Sequence, residues 1–165
     1  MIDWIEQKLG FTMKPEQLEA IAVYNSQTNK RLCLFYKTGA GKTATALAAL
    51  AQDKVDHALV IAPPVTQDAW VNLGKKLDME VTAISHAKFR QKDYKIARNT
   101  PIIVDEFHLL GGHGGVGWKK LDRLARGLQA PLLILSATPQ YNDADRVYCV
   151  QHVLDPLSVR GGFIA

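Results

Sequence analysis

A glycine-containing loop between a short apolar run and an alanine-rich segment constrains the fold of this chain most strongly. The apolar run, residues 32–36, leads into Lys37-Thr38-Gly39-Ala40-Gly41-Lys42-Thr43, and the alanine-rich segment follows at once. Glycines allow consecutive backbone N–H groups to point at one anion, and a helix that starts there directs the positive end of its dipole at the same place. The sequence therefore predicts a strand, a phosphate-binding loop and a helix, the arrangement of a P-loop nucleotide-binding protein.

The residues of this loop form the predicted nucleotide site. Lys42 is expected to contact the β- and γ-phosphates of ATP, and the Thr43 hydroxyl is expected to bind Mg²⁺. The general pattern G-x-x-x-x-G-K-[ST] has a glycine where this chain has Tyr36, so the match is incomplete. The residues predicted to hold the nucleotide are Thr38, Gly39, Ala40, Gly41, Lys42, Thr43 and Thr45.

Short apolar runs alternate with amphipathic segments along the chain. The predicted strands cover residues 32–36, 58–62, 81–84, 102–105 and 132–136, and the predicted helices cover residues 3–9, 15–24, 42–51, 66–77, 118–127 and 143–153. Strands buried on both faces are almost wholly apolar, and their alternation with helices is typical of a parallel sheet. We therefore expect one α/β domain over residues 1–165. The glycine-rich run 111–117 is predicted to be a loop.

Two adjacent carboxylates end one of the apolar runs. Asp105 and Glu106 directly follow residues 102–104, and an unpaired charge beside a core is costly. Mg²⁺ bound to ATP would supply the positive partner that these acids need. Asp105 is therefore predicted to bind the metal ion together with Thr43. Glu106 is predicted to orient and deprotonate the attacking water, which makes Glu106 and Lys42 the expected catalytic residues.

The order of three motifs resembles superfamily 2 helicases and translocases. Thr-Gly-x-Gly-Lys-Thr at residues 38–43, a form that often lacks the first glycine in that superfamily, precedes Asp-Glu-x-His at 105–108 and Ser-Ala-Thr at 136–138. The resemblance implies a RecA-like three-layer α/β/α fold with a mainly parallel sheet, and hydrolysis of ATP. It also implies that His108, Ser136 and Thr138 couple the nucleotide site to a neighbouring lobe.

Further segments are similar to one branch of that superfamily, the SWI/SNF-like DNA translocases. Met13-Lys14-Pro15-Glu16-Gln17 resembles the opening segment of the branch, which implies that Gln17 contacts adenine; the alternative is an ordinary surface glutamine. Residues 59–66 resemble its first DNA-contacting segment, and residues 85–88 lie where the next one is expected. The stretch 138–156 resembles the end of its first lobe. Trp70 is expected to be a core residue rather than a base-stacking one. The implied phosphate contacts are Pro64, Thr66, Ser85, His86 and Lys88.

The composition sets broader limits. With 47% hydrophobic and 22% charged residues, the chain has the balance of a globular domain, and its net charge of +4 permits an anionic partner without requiring one. No apolar stretch approaches the ~20 residues of a membrane span, and no secretory leader is apparent, so we expect a cytoplasmic protein without membrane contact. Cys33 and Cys149 are expected to be small buried hydrophobic residues.

These features predict the first of two motor lobes of a helicase or translocase. Such a lobe binds ATP and Mg²⁺ and moves on DNA only with a second RecA-like lobe, from the same full-length protein or from a separate chain, and we expect very low activity without it. Two alternatives stay open, an RNA-directed helicase lobe and a non-catalytic nucleotide-binding interaction module. A small-molecule kinase is disfavoured by the motifs at residues 105–108 and 136–138.

Overall fold

The computed structural model describes residues 1–37, 39–111 and 114–137. The strands in these ranges are β1 (Arg31–Phe35), β2 (His57–Ile61), β3 (Glu80–Ile84), β4 (Ile102–Val104) and β5 (Leu132–Ser136). They form one sheet in the order β1-β5-β4-β2-β3, and every neighbouring pair among them is parallel. The apolar runs therefore correctly predicted a parallel sheet that is buried on both faces.

Helices cover both faces of this sheet. They are α1 (Ile2–Leu9), α2 (Pro15–Ser26), α3 (Lys42–Gln52), α4 (Pro64–Lys76), α5 (His86–Arg90) and α6 (Val116–Gly127), with a 3-10 helix at Phe107–Leu110. Helices α1 to α4 pack together on one face, whereas α5, the 3-10 helix and α6 lie on the other. The predicted three-layer α/β/α architecture is confirmed.

Alternate residues of the strands enter two separate hydrophobic cores. In β4, Ile103 packs into the core beneath α1 to α4, whereas Ile102 and Val104 pack into the core beneath α5 and α6. The larger core contains almost all of α3, which is buried from Ala44 to Ala51. The helix that follows the phosphate loop is therefore fixed against the sheet along most of its length.

Most element boundaries lie within two residues of those predicted. Helix α4 begins at Pro64 rather than at residue 66, because proline suits the first turn of a helix. The prediction that residues 111–117 are all loop is wrong at its end, since α6 already begins at Val116 and Gly117 is buried against the Leu110 carbonyl. Helix α5 and the 3-10 helix were not predicted.

Cys33 is partly buried against the core beneath α5 and α6, and burial raises the pKa of its thiol to about 12. The predicted helix 143–153 and Cys149 lie outside the described residues. Within the described ranges, no helix combines the length and the apolar character that crossing a bilayer requires.

Candidate nucleotide site

The phosphate loop and the acidic pair lie at the same edge of the sheet. The loop follows β1 and Asp105 follows β4, and the two strands run in the same direction on either side of β5. The last residue of β5, Ser136, is buried and pairs in register with Phe35. Ligands of α/β proteins bind at this carboxyl edge. The sheet thus brings three of the predicted motifs together; Thr38 and Thr138 lie outside the described residues.

Glycine is required at two positions of the phosphate loop. Gly39 and Gly41 both have a φ of +81°, in the left-handed region that side chains with a Cβ rarely adopt. At Gly41 a Cβ would also collide with the side-chain nitrogen of Gln17. Helix α3 begins at Lys42, directly after this glycine, so the unpaired N–H groups of its first turn lie at the edge of the sheet.

Polar side chains of the loop bond to the backbone of the protein itself. Lys42 Nζ donates a hydrogen bond to the Tyr36 carbonyl oxygen at 3.0 Å. Thr45 is fully buried, and its hydroxyl donates to the Gly41 carbonyl oxygen at 2.9 Å, so it stabilises the first turn of α3 and does not face the edge. The Thr43 hydroxyl has no hydrogen-bond partner among the described residues, and Thr43 is half-buried.

Tyr36 occupies the position at which the general P-loop pattern has a glycine. Its hydroxyl donates a hydrogen bond to the Glu16 carbonyl oxygen at 2.6 Å, and burial together with the charges of Glu16 and Glu19 raises the pKa of the phenol. The side chain of Tyr36 is therefore bonded to α2, while its backbone carbonyl accepts the bond from Lys42. The missing glycine is replaced by a contact that ties the start of the loop to α2.

Gln17 connects α2 to the other end of the phosphate loop. Its Oε1 accepts a hydrogen bond from the Lys14 backbone at 2.8 Å, which caps α2, and its Nε2 lies 3.5 Å and 3.4 Å from the carbonyl oxygens of Ala40 and Gly41. Gln17 is only 3% exposed, so the alternative of an ordinary surface glutamine is wrong. The adenine contact stays a prediction, and it requires Nε2 to exchange its two long bonds for the base.

Asp105 is held in one orientation by four hydrogen bonds. Its carboxylate accepts one from the indole Nε1 of Trp70 at 3.1 Å and one from the backbone nitrogen of Glu106 at 2.9 Å. Its backbone carbonyl lies 2.8 Å from Nε2 of His86, and its backbone nitrogen donates to Ile61 at 2.8 Å. An ionised carboxylate has about four lone-pair sites, so two stay available for a metal ion or its water ligands.

Trp70 and His86 have roles that the sequence did not predict. Trp70 is a core residue as expected, with 1% of its surface exposed, but it also orients Asp105. The sequence offers one signal for this role, since the indole N–H of a buried tryptophan usually needs an acceptor.

His86 was predicted to contact nucleic acid, and its position in the structure differs from that prediction. The residue is 6% exposed and its Nε2 meets a carbonyl oxygen, which only accepts, so Nε2 carries the proton. Burial lowers the pKa of the ring. In this structure the ring of His86 supports Asp105 and is not presented to a surface partner.

Glu106 turns the chain out of β4 in a costly conformation. Its φ of +48° and ψ of +54° are left-handed, and conformations of this kind cluster at functional sites. Its Oε2 lies 3.3 Å from Nδ1 of His108, and this buried Nδ1 has no partner with hydrogen-bond geometry among the described residues. The predicted base and the predicted coupling histidine are therefore neighbours.

The remaining predicted nucleic-acid contacts lie at the starts of two helices on the same edge. Pro64 begins α4 and is exposed, and the hydroxyl of Thr66 bonds back to the backbone of that first turn at 3.0 Å. Ser85 caps α5 by accepting a hydrogen bond from the backbone nitrogen of Lys88 at 3.1 Å. The Lys88 side chain is exposed and lies over the ring of Tyr94, with Nζ 5.4 Å from the ring centroid.

The donor groups at this edge fit Mg²⁺ bound to a nucleotide. In the part of the chain that is described, no group of three or more His, Cys, Asp or Glu side chains forms a metal cage. Nucleotide sites do not need one, because Mg²⁺ there is held by one or two protein groups, phosphates and water. The Thr43 hydroxyl and the open lone pairs of Asp105 are oxygen donors of the required kind.

Comparisons with known proteins agree with this architecture. No family model matches the chain. A protein of Acanthamoeba polyphaga mimivirus described as a "putative ATP-dependent RNA helicase" is 28% identical over an alignment 123 residues long, and the match covers 70% of this chain and 27% of that protein. The solved structure of the Sulfolobus solfataricus SWI2/SNF2 ATPase core in complex with dsDNA matches 88% of this chain and 36% of its own, with a TM-score of 0.72 and 20% identity.

The chain thus spans about a quarter of the length of the viral protein and about a third of the archaeal one. The match in structure extends well beyond the phosphate loop, since it covers 88% of the chain. The described residues therefore have the RecA-like α/β fold predicted from the sequence, and the chain is similar in structure to part of the SWI2/SNF2 ATPase core.

Proposed function

We propose that residues 1–165 are the first motor lobe of a superfamily 2 DNA helicase or translocase. The lobe binds ATP with Mg²⁺ and, paired with a second RecA-like lobe, hydrolyses ATP to drive movement on DNA. The second lobe comes from the same full-length protein or from a separate chain. The observation that carries the proposal is the presence of the phosphate loop and the firmly held Asp105 at one edge of a parallel sheet.

The residues at this edge divide the chemistry among them. Lys42 exchanges the Tyr36 carbonyl for the β- and γ-phosphates. Thr43 and Asp105 hold Mg²⁺, which supplies charge neutralisation at the phosphate oxygens. Glu106 orients the attacking water and accepts its proton. His108, Ser136 and Thr138 transmit the state of the site to the second lobe.

The lobe alone is expected to hydrolyse ATP very slowly. Lys42 and the metal ligands address one side of the phosphates, whereas the family resemblance implies that an arginine finger comes from the second lobe. Such a finger is worth ~10³–10⁵ in turnover in the P-loop enzymes that use one. Phosphate release from this chain, with and without duplex DNA, tests the expectation. Brisk DNA-stimulated hydrolysis by the monomeric chain would contradict it.

DNA is the proposed track because two observations favour it. The segment at Pro64 resembles a DNA-contacting segment of DNA translocases, and the segment at Ser85 lies where their next one is expected. The matched Sulfolobus solfataricus core was solved with double-stranded DNA. RNA is the second candidate, since the viral relative is described as an RNA helicase. Binding to matched duplex DNA, single-stranded DNA and RNA separates the two, and preference for RNA would support the second candidate.

A non-catalytic binding module is disfavoured by the composition of the site. A site that no longer hydrolyses ATP does not need to keep Lys42, Thr43, Asp105 and Glu106 together. It also does not need a buried tryptophan that orients Asp105. Loss of hydrolysis in the complete two-lobe protein, with intact nucleotide binding, would instead favour this alternative.

Nucleotide binding itself is tested by Lys42→Ala. Saturating ATP and Mg²⁺, at ~100 times the dissociation constant, should stabilise the wild-type chain by ~2.7 kcal/mol, a rise of roughly 5–10 °C in melting temperature. The variant should fold normally and lose most of this rise, because its loop no longer carries the charge that meets the phosphates. Lys75→Ala, on the exposed last turn of α4, removes the same charge at the opposite edge and serves as control. If folded Lys42→Ala shows the same ATP-induced rise in melting temperature as the wild-type chain, the assignment of Lys42 is wrong.

A further inference from the structure

A basic cleft lies on the face of the sheet opposite α3. It is formed by the end of α5, the segment 92–96 that follows, and one side of α6, and it encloses about 520 Å³. Tyr94 and Ile96 contribute to its walls, and Lys88 adjoins it by lying over the Tyr94 ring. The cationic side chains that line it are Arg90, Lys92, Lys95, Lys119, Lys120 and Arg123.

Two of these cations hold the cleft together. Lys120 Nζ donates hydrogen bonds to the carbonyl oxygens of Gln91 and Tyr94, both at 2.7 Å, and so fixes the segment after α5 to α6. Arg90 donates to the Leu109 carbonyl oxygen at 3.0 Å. These bonds define the shape of the cleft without any bound ligand.

The other four cations are free to meet a ligand. Lys92, Lys95, Lys119 and Arg123 are exposed, and their side chains have no hydrogen-bond or ion-pair partner among the described residues. Two acids lie nearby: Asp93 is exposed, and Asp122 pairs with Arg126. Burial and the charge of Lys95 lower the pKa of Lys120, as expected where positive charge is not fully compensated. The cleft therefore carries a net positive charge that calls for an anion.

The arrangement of the free cations favours a polymer of phosphates over a small ligand. Sites for small molecules enclose most of the surface of their ligand. Here the cations are exposed, and Lys119 and Arg123 stand four residues apart on α6, which is ~6 Å along the helix axis. Phosphates of one strand recur every ~3.4 Å along the duplex axis, so two cations at this separation can contact phosphates of one backbone at the same time.

We propose that the basic cleft is a second nucleic-acid contact surface, which binds the phosphodiester backbone beside the edge formed by Ser85 and Lys88. The inference rests on the proposed function, because it extends the track of the same motor lobe. Lys88 is itself a predicted contact and lies over Tyr94, so the edge and the cleft form one continuous surface. Exposed lysine and arginine side chains hold phosphates without reading bases, so this contact is independent of sequence.

The test is a pair of charge-reversed variants of the full chain. Lys119→Glu with Arg123→Glu alters the cleft, and Lys75→Glu with Lys76→Glu alters the exposed last turn of α4 at the opposite edge of the sheet. Both pairs lower the net charge of +4 by four, so they have equal effects on overall charge. Binding to a labelled DNA duplex and to RNA of equal length is measured by fluorescence anisotropy between 50 and 200 mM salt. Thermal melting establishes that each variant is folded.

The cleft variant should bind nucleic acid about 10- to 100-fold more weakly than the control variant at low salt, because two phosphate contacts are lost. The slope of log K against log salt should also fall by about 2, and by about 1 in the milder single variants Lys119→Gln and Arg123→Gln. The single variants provide the slope if the double variant does not fold.

Three outcomes would overturn the inference. Equal losses of nucleic-acid affinity in the cleft and control variants would mean that only the net charge of the chain matters. The proposed function would be unaffected by that result. Displacement of DNA by micromolar tripolyphosphate, lost in the cleft variant, would reassign the cleft to a small polyphosphate. Absence of nucleic-acid binding by the wild-type chain at low salt would overturn the inference together with the DNA track, although ATP-induced stabilisation would be unaffected.

Discussion

The two halves of the proposed nucleotide site are built differently. On the phosphate-loop half, Lys42 and Gln17 are bonded to backbone carbonyls over 3.0 to 3.5 Å. On the acidic half, Asp105 is 7% exposed, and both carboxylate oxygens and both backbone polar atoms have partners at 2.8 to 3.1 Å. Moving a buried carboxylate away from its donors is expensive, whereas a lysine exchanges a carbonyl for a phosphate easily. The acidic half is therefore preorganised, and the loop half adapts to its ligand.

This difference follows from where each half lies in the fold. The loop contains two residues in the left-handed conformation, and its contacts with α2 are made through the side chains of Tyr36 and Gln17. Asp105 follows a central strand that is fully buried, between helix α4 on one face and α5 on the other. Substitutions in the acidic half should therefore damage the chemistry or the fold, and those in the loop half should mainly change affinity.

The largest expected effect is that of Glu106→Gln on turnover. In the assembled two-lobe motor this variant should bind ATP normally and hydrolyse it ~10²–10⁴ times more slowly, because an amide cannot accept the proton of the attacking water. Steady-state phosphate release measures the loss, and ATP-induced stabilisation measures binding. Glu80→Gln, at the exposed start of β3, is the matched control. Hydrolysis at the wild-type rate would remove Glu106 from this role.

Trp70→Phe should lower the stability of the chain and raise the Mg²⁺ concentration that ATP binding requires. The variant loses a hydrogen bond to a charged group, which costs ~1.5–3 kcal/mol, and ATP should then need more Mg²⁺ to stabilise it. Trp118→Phe removes the same atoms from the core on the opposite face. It should destabilise the chain without changing the Mg²⁺ dependence. If both variants show the same Mg²⁺ dependence, the indole does not position Asp105 for the metal.

Gln17→Ala should have a smaller effect, in the loop half. If Gln17 contacts adenine, loss of about one neutral hydrogen bond, ~1 kcal/mol, should weaken ATP about fivefold and leave GTP almost unchanged. Gln67→Ala, which also removes a glutamine bond to a backbone carbonyl, is the control. Equal losses for both nucleotides would mean that Gln17 acts on the shape of the loop and does not contact the base.

The smallest expected effect is a pH dependence of stability that comes from His86. Burial lowers the pKa of this ring below 6.5 in the folded chain, so the unfolded chain takes up the proton first as the pH falls. Its stabilising contribution should be complete above pH 6.5 and decline below it. His86→Gln keeps a donor for the Asp105 carbonyl. In this variant the midpoint of urea unfolding should change less between pH 7.5 and 5.5 than it does in the wild-type chain. His57→Gln is the control and should keep the wild-type dependence of the midpoint on pH. If His86→Gln keeps it as well, His86 does not have this role.

The sequence predicted the sheet and the position of the phosphate loop between β1 and α3 well, because both depend on local patterns. Strands β1 to β5 are short apolar runs, and the phosphate loop is a contiguous string of residues. Helix α5 was missed because five residues are too few for a helical period to be recognised. The contacts of Trp70 and His86 with Asp105 join residues 35 and 19 positions apart. No periodicity encodes such pairs, so the sequence revealed Asp105 itself but not the residues that hold it in place.

The bond between Lys42 and the Tyr36 carbonyl makes the protein its own competitor for the phosphate position. A ligand must displace this internal partner, so its apparent affinity is its intrinsic affinity scaled by the fraction of molecules with an open loop. Each ~1.4 kcal/mol in favour of the closed loop weakens every ligand about tenfold. Inorganic phosphate offers few contacts to offset that cost, whereas a nucleoside triphosphate with its metal ion offers many. This internal bond would then act as a threshold that free phosphate passes less readily than a nucleoside triphosphate with its metal ion.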